Sequence, residues 1–150
     1  MIIRKATIQD VPVIHDLLHS CSHQGDLIPR SLSDLYGSSR DFTVAVQENC
    51  VMGCAALQFC WEDLAEIRSM AVRESKRRRG VGTALVHACT EEARRYGIRK
   101  LFCLTFKPDL YARFGFHTIE RAELPVKIWS DCMQCVHFPD CEGTAMMMAL

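Results

Sequence analysis

Arg77-Arg78-Arg79-Gly80-Val81-Gly82-Thr83 is the stretch of this chain whose residue types and spacing could do chemistry. An apolar, strand-like run (residues 67–72) leads into it, and an amphipathic helical run (residues 82–96) leads out of it. Two glycines at such a turn let the backbone approach a ligand with no Cβ in the way. The first N–H groups of the following helix lie at the positive end of its dipole and point outward. Together these features make a binding place for a pyrophosphate. The three arginines add fixed positive charge with planar, bidentate donors. The plainer alternative is a solvated basic loop before a helix; the placement between strand and helix favours the phosphate. Neither the Rossmann pattern Gly-x-Gly-x-x-Gly nor the ATP loop Gly-x-x-x-x-Gly-Lys-Ser/Thr occurs here.

The elements that must position this loop follow from periodicity. Residues 2–6 read as a short strand. Thr7 and Asp10 form a weak capping box before a helix carrying Val11, Ile14, Leu17, Leu18 and Cys21 at helical spacing. Residues 24–30 read as a loop and 31–36 as a second short helix. Residues 41–47 alternate apolar and polar, Glu48-Asn49 makes a hairpin turn, and residues 51–61 form a long strand in which Gly53 marks a bulge. Residues 64–72 are a further strand. After the loop and its helix, Gly97 is a C-terminal stop. Residues 100–106 are almost wholly apolar, as in a central strand. Residues 108–113 read as a short helix opened by Pro108, residues 115–120 as extended, 125–142 as irregular and 144–150 as a final strand. The order is β, α, α, β, β, β, α, β, α, β, β, a mixed α/β fold with antiparallel strands first and a strand–helix–strand unit after them. No repeat or linker divides residues 1–150, which read as one domain.

Composition bounds the partners. The formal net charge is zero, so the basic cluster from Arg73 to Arg79 is local and argues for one anionic group, with no nucleic-acid face. No apolar run is long enough for a membrane span, and the N-terminus lacks the apolar core of a secretory signal, so a cytoplasmic location is the default expectation. Nine cysteines are then thiols or metal ligands before they are disulfides.

Four features stand in the order of the GNAT acetyltransferase superfamily. The loop Arg77-x-x-Gly80-x-Gly82 resembles its coenzyme A pyrophosphate loop. Ala65-Glu66-Ile67-Arg68-Ser69-Met70-Ala71-Val72 resembles its fourth strand, and residues 100–106 its fifth. Tyr111-Ala112-Arg113-Phe114-Gly115-Phe116 resembles the tyrosine-bearing helix and turn that follow. A narrower resemblance, to the short bacterial N-acetylglutamate synthases, comes from Ile28-Pro29-Arg30-Ser31, Ala65 to Ser69, Leu104-Thr105, Leu124-Pro125-x-Lys127-Ile128-Trp129 and the tail from Asp131 to Glu142. One departure is Leu110-Tyr111, where a pair of phenylalanines is expected.

The resemblance implies a GNAT fold with a splayed strand pair, acetyl-CoA as cosubstrate, and transfer of the acetyl group to an amine. The acceptor it implies is the α-amine of glutamate, as in arginine biosynthesis. Only a neutral amine attacks a thioester, so an ammonium acceptor needs a base. The resemblance assigns that role to Glu66; an ion pair with Arg68 is the competing reading. It assigns protonation of the departing thiolate to Tyr111, a phenol that is neutral near pH 7 and can donate; a packing tyrosine is the competing reading. Met70, Ala71 and Val72 would offer backbone groups to the cofactor and to the thioester oxygen. Arg77, Arg78, Arg79, Gly80, Val81, Gly82 and Thr83 would hold the pyrophosphate. Arg30, Arg68 and Lys127 would meet the carboxylates of glutamate.

No cysteine is needed as a nucleophile, and Cys103, on the fifth strand, reads as a buried thiol. Cys132, Cys135 and Cys141, with His137, leave three readings open: a structural zinc, a redox pair, or free thiols. No catalytic metal is expected. His15, His19, His23 and His87 form no constellation. Other small amines or protein amines remain as acceptors, a homodimer is compatible with the sequence, and a non-catalytic coenzyme A-binding module or a metal-binding interaction domain is the reading from outside the enzyme class.

Overall fold

The computed structural model describes residues 1–22, 30–77, 79–124 and 143–150. Strand β1 (Ile2–Lys5) is followed by helices α1 (Val11–Ser22) and α2 (Leu32–Gly37). Strands β2 (Phe42–Gln47), β3 (Cys50–Trp61) and β4 (Leu64–Val72) then lead to α3 (Val81–Arg95). Strand β5 (Lys100–Thr105), α4 (Pro108–Arg113), β6 (His117–Thr118) and β7 (Thr144–Ala149) complete the described elements. The order is the one expected from the sequence. The differences are at the edges: Asp41 belongs to a 3-10 turn ahead of β2, a 3-10 turn at Ile8–Asp10 precedes α1, and the extended segment after Gly115 narrows to β6.

The seven strands form one sheet in the order β1-β2-β3-β4-β5-β7-β6. Every neighbouring pair is antiparallel except β4 and β5, which are joined through α3 and run parallel. Glu48 and Asn49 both have positive φ, 52° and 61°, the signature of a two-residue type I′ hairpin turn between β2 and β3. At the start of α2, Ser31 Oγ accepts from the Asp34 N–H at 3.1 Å. Asp10 accepts from the Thr7 N–H at 2.7 Å and from both terminal nitrogens of Arg4, at 2.7 and 3.1 Å. That ties β1 to the start of α1.

The period-2 alternation of the strands divides the core by face. One face packs α3 and α4: Ala55, Leu57, Ala65, Ile67, Leu101 and Cys103 of the sheet meet Val81, Leu85, Cys89, Ala93 and Tyr111. The opposite face packs α1: Phe42, Val44, Cys54, Ala56 and Ala71 meet Val11, Ile14, Leu17, Leu18 and Cys21, with Leu35 of α2. Gly53 stands where the backbone packs closest. A Cβ there would lie 3.0 Å from Ala71 O and 3.0 Å from Val81 Cγ1. The bulge expected at Gly53 is beside it: Ala45 pairs with Gly53 and Val46 with Val51, leaving Met52 as the extra residue.

Candidate active site

Two irregularities in β4 create the site. Arg68 pairs with Ala56 and Ala71 with Cys54, so Ser69 and Met70 together oppose Ala55. This is a β-bulge, and Ser69 takes up the kink at φ 53°, a conformation few non-glycine residues adopt. Nothing in the sequence marks Ser69 for that role. On its other edge, β4 pairs with β5 only from Leu64↔Lys100 to Glu66↔Phe102. Beyond Glu66 the two strands part.

A cleft of about 1210 Å³ fills the gap. It is lined by Ile67 to Val72 of β4, by Leu104 and Thr105 of β5 with Phe106 and Lys107, by Gly80 to Thr83 at the start of α3, and by Tyr111 and Phe114 of α4. The sequence-predicted cofactor residues Met70, Ala71, Val72, Arg77, Gly80, Val81, Gly82 and Thr83 all line this one cleft. Arg79 adjoins it as an exposed residue. Arg78 and Lys127 lie outside the described residues, as do His23, Cys132, Cys135, His137 and Cys141.

The glycine loop does two different things. Gly80 caps α3 with φ 81°, a left-handed conformation that a side chain would strain. It supplies no capping side chain, and the first intrahelical bond runs from the Ala84 N–H to Gly80 O at 3.0 Å. The N–H groups of Val81, Gly82 and Thr83 therefore have no carbonyl within their own helix. Gly82 keeps space open: a Cβ there would sit 3.7 Å from Phe114 Cζ, across the mouth between α3 and α4. Val81 turns its side chain into the core and can contribute only backbone. Arg77 reaches back toward α1, its Nε donating to Val72 O at 3.3 Å and its Nη2 lying 3.8 Å from Cys21 Sγ.

Glu66, Arg68 and Gln58 share the face opposite α3 and α4, because Ala65 and Ile67, between and beside them, point into the α3 core. Glu66 is buried, and its Oε1 lies 3.7 Å from Arg68 Nη1. The same Nη1 donates to Gln58 Oε1 at 2.9 Å. Arg30 comes to this face from the start of α2. Its guanidinium donates to Asp34 Oδ2 at 2.8 Å, Ser38 Oγ at 2.8 Å and Ser69 Oγ at 3.3 Å, and lies over the Phe42 ring. Arg30 and Arg68 thus flank the bulge, while Glu66 sits at the point where the strands part.

Tyr111 is on the other face, buried and held edge-on by Phe114 and Phe116 at 5.5 and 5.6 Å between ring centroids. Burial pushes its phenol well above the ordinary range, with the charges of Cys103, Cys89 and Glu66 adding to the effect. It is protonated at any working pH. Cys103 is fully buried, and burial, with Glu66 nearby, pushes its thiol up also, so it is no nucleophile. Cys54 and Cys89 are pushed up to about 12 by burial. None of the six described cysteines is in a disulfide.

The cleft also uses residues that sequence reasoning passed over. His87, Thr90 and Arg94 on α3 and Leu110 and Arg113 on α4 line it. Thr90 Oγ1 is buried with no hydrogen-bond partner among the described residues. Thr83, His87, Thr90 and Arg94 recur at helical spacing, so a polar stripe on one side of α3 was available as a signal.

Comparison with known proteins agrees with this architecture. Residues 12–116 match the acetyltransferase (GNAT) family. An uncharacterised N-acetyltransferase of Chlorobaculum tepidum is 34% identical over 148 residues, covering 99% of this chain and 96% of that one. An amino-acid acetyltransferase of Mycobacterium tuberculosis is 32% identical over 133 residues, covering 87% of this chain and 76% of that one. The solved N-acetylglutamate synthase of Neisseria gonorrhoeae, complexed with coenzyme A and N-acetyl-glutamate, superposes with a TM-score of 0.91 at 29% identity, covering 99% of this chain and 35% of that enzyme. The parted strands, the glycine loop at the start of α3 and these matches lead to one conclusion: the chain belongs to the GNAT acetyltransferase family and is an acetyl-CoA-dependent N-acetyltransferase.

Proposed function

We propose that this enzyme transfers the acetyl group of acetyl-CoA to the α-amine of an amino acid, and that the amino acid is glutamate. The observation that carries this reading is the placement of the candidate residues on the two faces of the sheet where β4 and β5 part. The glycine loop and Tyr111 lie on the α3–α4 face, whereas Glu66, Arg68 and Arg30 lie on the α1–α2 face. The pyrophosphate takes the N–H groups of Val81, Gly82 and Thr83, with Arg77 and Arg79 nearby. The pantetheine arm adds to the open edge of β4 along Met70, Ala71 and Val72, as a strand would. The thioester then lies in the gap between β4 and β5, open to an acceptor from the opposite face.

Glu66, directly or through a water, takes a proton from the acceptor ammonium. The freed amine attacks the thioester carbon, forming the C–N bond, while a backbone N–H near the bulge stabilises the oxyanion. The C–S bond breaks, the nitrogen gives up its second proton to become an amide, and that proton restores Tyr111 as its phenol meets the leaving sulfur. A buried phenol is a weak acid, so its contribution is a hydrogen bond to the thiolate, with proton transfer following as the thiolate, equally desolvated, becomes more basic. Arg68, Arg30 and Lys127 provide the cations for two carboxylates. The relatives named for amino-acid acetylation, and the gonococcal enzyme of which this chain spans about a third, support glutamate as the acceptor.

Thiol release from acetyl-CoA, measured across the twenty amino acids and a peptide α-amine, tests the reading. Glutamate is expected to have the highest kcat/KM. Preference for a neutral or cationic amine overturns the acceptor assignment, and acetyl-CoA binding without turnover on any amine overturns the catalytic reading.

A further inference from the structure

Ser69, at the β-bulge, is held at two points. Its hydroxyl accepts from Arg30 Nη1 at 3.3 Å, and its carbonyl accepts from the thiol of Cys54, with 3.6 Å between Sγ and the oxygen. Cys54 is a fully buried residue of β3, packed on the α1 side of the sheet, and the scheme above gives it no part. Burial pushes its thiol up to about 12, so it keeps its proton and can donate. The direction of the backbone follows from the ladder. The Arg73 N–H donates to Met52 O at 2.8 Å, so the Arg73 backbone faces β3. Backbone groups alternate between the two edges of a strand. Val72 therefore faces the other edge, Ala71 faces β3, and Met70 faces the other edge again. Val72 O, which accepts from Arg77 Nε at 3.3 Å, agrees with this alternation. The edge that Met70 faces is the one from which β5 has parted, and Met70 lines the cleft there. In a trans peptide the C=O and the N–H point in opposite directions. A Ser69 carbonyl turned to Cys54 thus turns the Met70 N–H into the gap.

We propose that Cys54 is a positioning residue whose thiol, by holding the Ser69 carbonyl, aims the Met70 N–H at the oxygen of the acetyl thioester. The inference rests on the functional reading given above, which puts that thioester in the gap. A bulge needs such a hold more than a regular strand does. Ser69 and Met70 share one opposing residue, Ala55, so the ladder fixes their peptide less firmly than its neighbours. Ser69 also carries φ 53°, and relaxation of that strain would rotate the peptides on either side of it. The thiol hydrogen bond is a weak one, suited to choosing between orientations of one peptide and not to holding the fold. An N–H aimed beforehand needs no reorientation as charge develops on the thioester oxygen.

The Met70 amide can be read directly by NMR, with nitrogen-labelled methionine and the Met70 signal assigned through Met70→Leu. In the parent, acetyl-CoA is expected to shift that signal downfield relative to coenzyme A, because only the thioester brings a carbonyl to the N–H. Three variants of Cys54 are then compared. Cys54→Ser keeps a donor and is expected to keep the shift and most of kcat. Cys54→Ala and Cys54→Val lack the donor, one with a smaller side chain and one with a larger. Both are expected to lose the shift and to lower kcat for the preferred acceptor about tenfold, with the acetyl-CoA KM unchanged. That is less than the 10² to 10³ typical of a deleted oxyanion donor, because the peptide still visits the productive orientation. Thermal unfolding of each variant identifies any fold defect, which would reduce the folded fraction without moving the Met70 signal within it. A parent whose Met70 signal does not distinguish acetyl-CoA from coenzyme A overturns the placement of the thioester, and this inference with it. A parent-like shift and kcat in the alanine and valine variants overturn this inference alone, as does a serine variant impaired as much as the alanine one.

Discussion

Glu66 and Tyr111 occupy opposite faces of the sheet at the place where β4 and β5 part. Glu66 alternates with Ala65 and Ile67, which point into the α3 core, while Tyr111 belongs to that core. The carboxylate and the phenol thus stand on the two sides of the sheet at this gap; Tyr111 lines the cleft, whereas Glu66 is buried beside it. A reaction that takes a proton from an acceptor and returns one to a leaving group needs such a separation, because the two partners depart in different directions.

Removal of the carboxylate should act chiefly on proton transfer, with a smaller effect through its ion pair with Arg68. Glu66→Gln is expected to lower kcat by roughly 10² to 10⁴ and to flatten the acid limb of the pH–rate profile. Tyr111→Phe is expected to lower kcat with little change in the acetyl-CoA KM. Its two edge-on aromatic contacts survive the change, so stability should hold. Steady-state kinetics from pH 5 to 9 check both, and a parent-like profile in each would remove the assignment.

The two glycines of the loop should fail in different ways. Gly82→Val fills the mouth opposite Phe114 without straining the backbone, so the acetyl-CoA KM should rise well over tenfold with little loss of stability. Gly80→Ala meets no neighbour but must adopt φ 81°, a strain of about 1 kcal/mol that should appear as a lower Tm. Calorimetric titration with coenzyme A and thermal unfolding, run on both variants, separate the effects.

Asp10 gives a pH dependence of stability. Hydrogen bonds from the Arg4 guanidinium, chiefly, hold its carboxyl below the usual range, helped by the Thr7 N–H. A depressed folded value means that the contribution is fully present above the unfolded value of about 3.9 and is lost as pH falls through the folded one. The parent should therefore lose stability below about pH 4 more steeply than Asp10→Asn. Tm measured between pH 2.5 and 6 checks the sign; parallel curves would show that Asp10 titrates alike in both states.

Much of this was legible in the sequence. The strand and helix order followed from periodicities of two and 3.6, and the loop at Gly80 and Gly82 followed from residues whose backbone freedom is visible in their type. The bulge at Ser69 was not legible, because serine has no intrinsic preference for φ 53° and tertiary pairing imposes it. The ion pair of Arg68 with Glu66 was legible as an alternative, but the contact of Arg68 with Gln58 was not: Gln58 is ten residues away and meets it only through strand register. Cleft residues on α3 were hidden for a different reason. Thr83, His87, Thr90 and Arg94 form a polar stripe that also suits a solvated helix face.

The cations on the acceptor face should separate by what else they hold. Arg68 donates to the Gln58 amide and pairs with Glu66 at 3.7 Å, and loss of its guanidinium leaves the strand pairing intact. Arg68→Met should therefore reduce kcat/KM for glutamate by roughly 10² or more, the several kcal/mol lost when a carboxylate keeps no partner, with acetyl-CoA binding unchanged. Arg30 is different. Its guanidinium joins Asp34 and Ser38 of the α2 region to Ser69 at the bulge, so it supports the backbone beside the thioester as well as the acceptor face. Arg30→Met should raise the glutamate KM and lower kcat together, and the kcat loss should persist at saturating glutamate. A variant with a raised KM and parent-like kcat would place Arg30 on the carboxylate alone. A variant with parent-like KM and lowered kcat would reduce it to a support for the bulge.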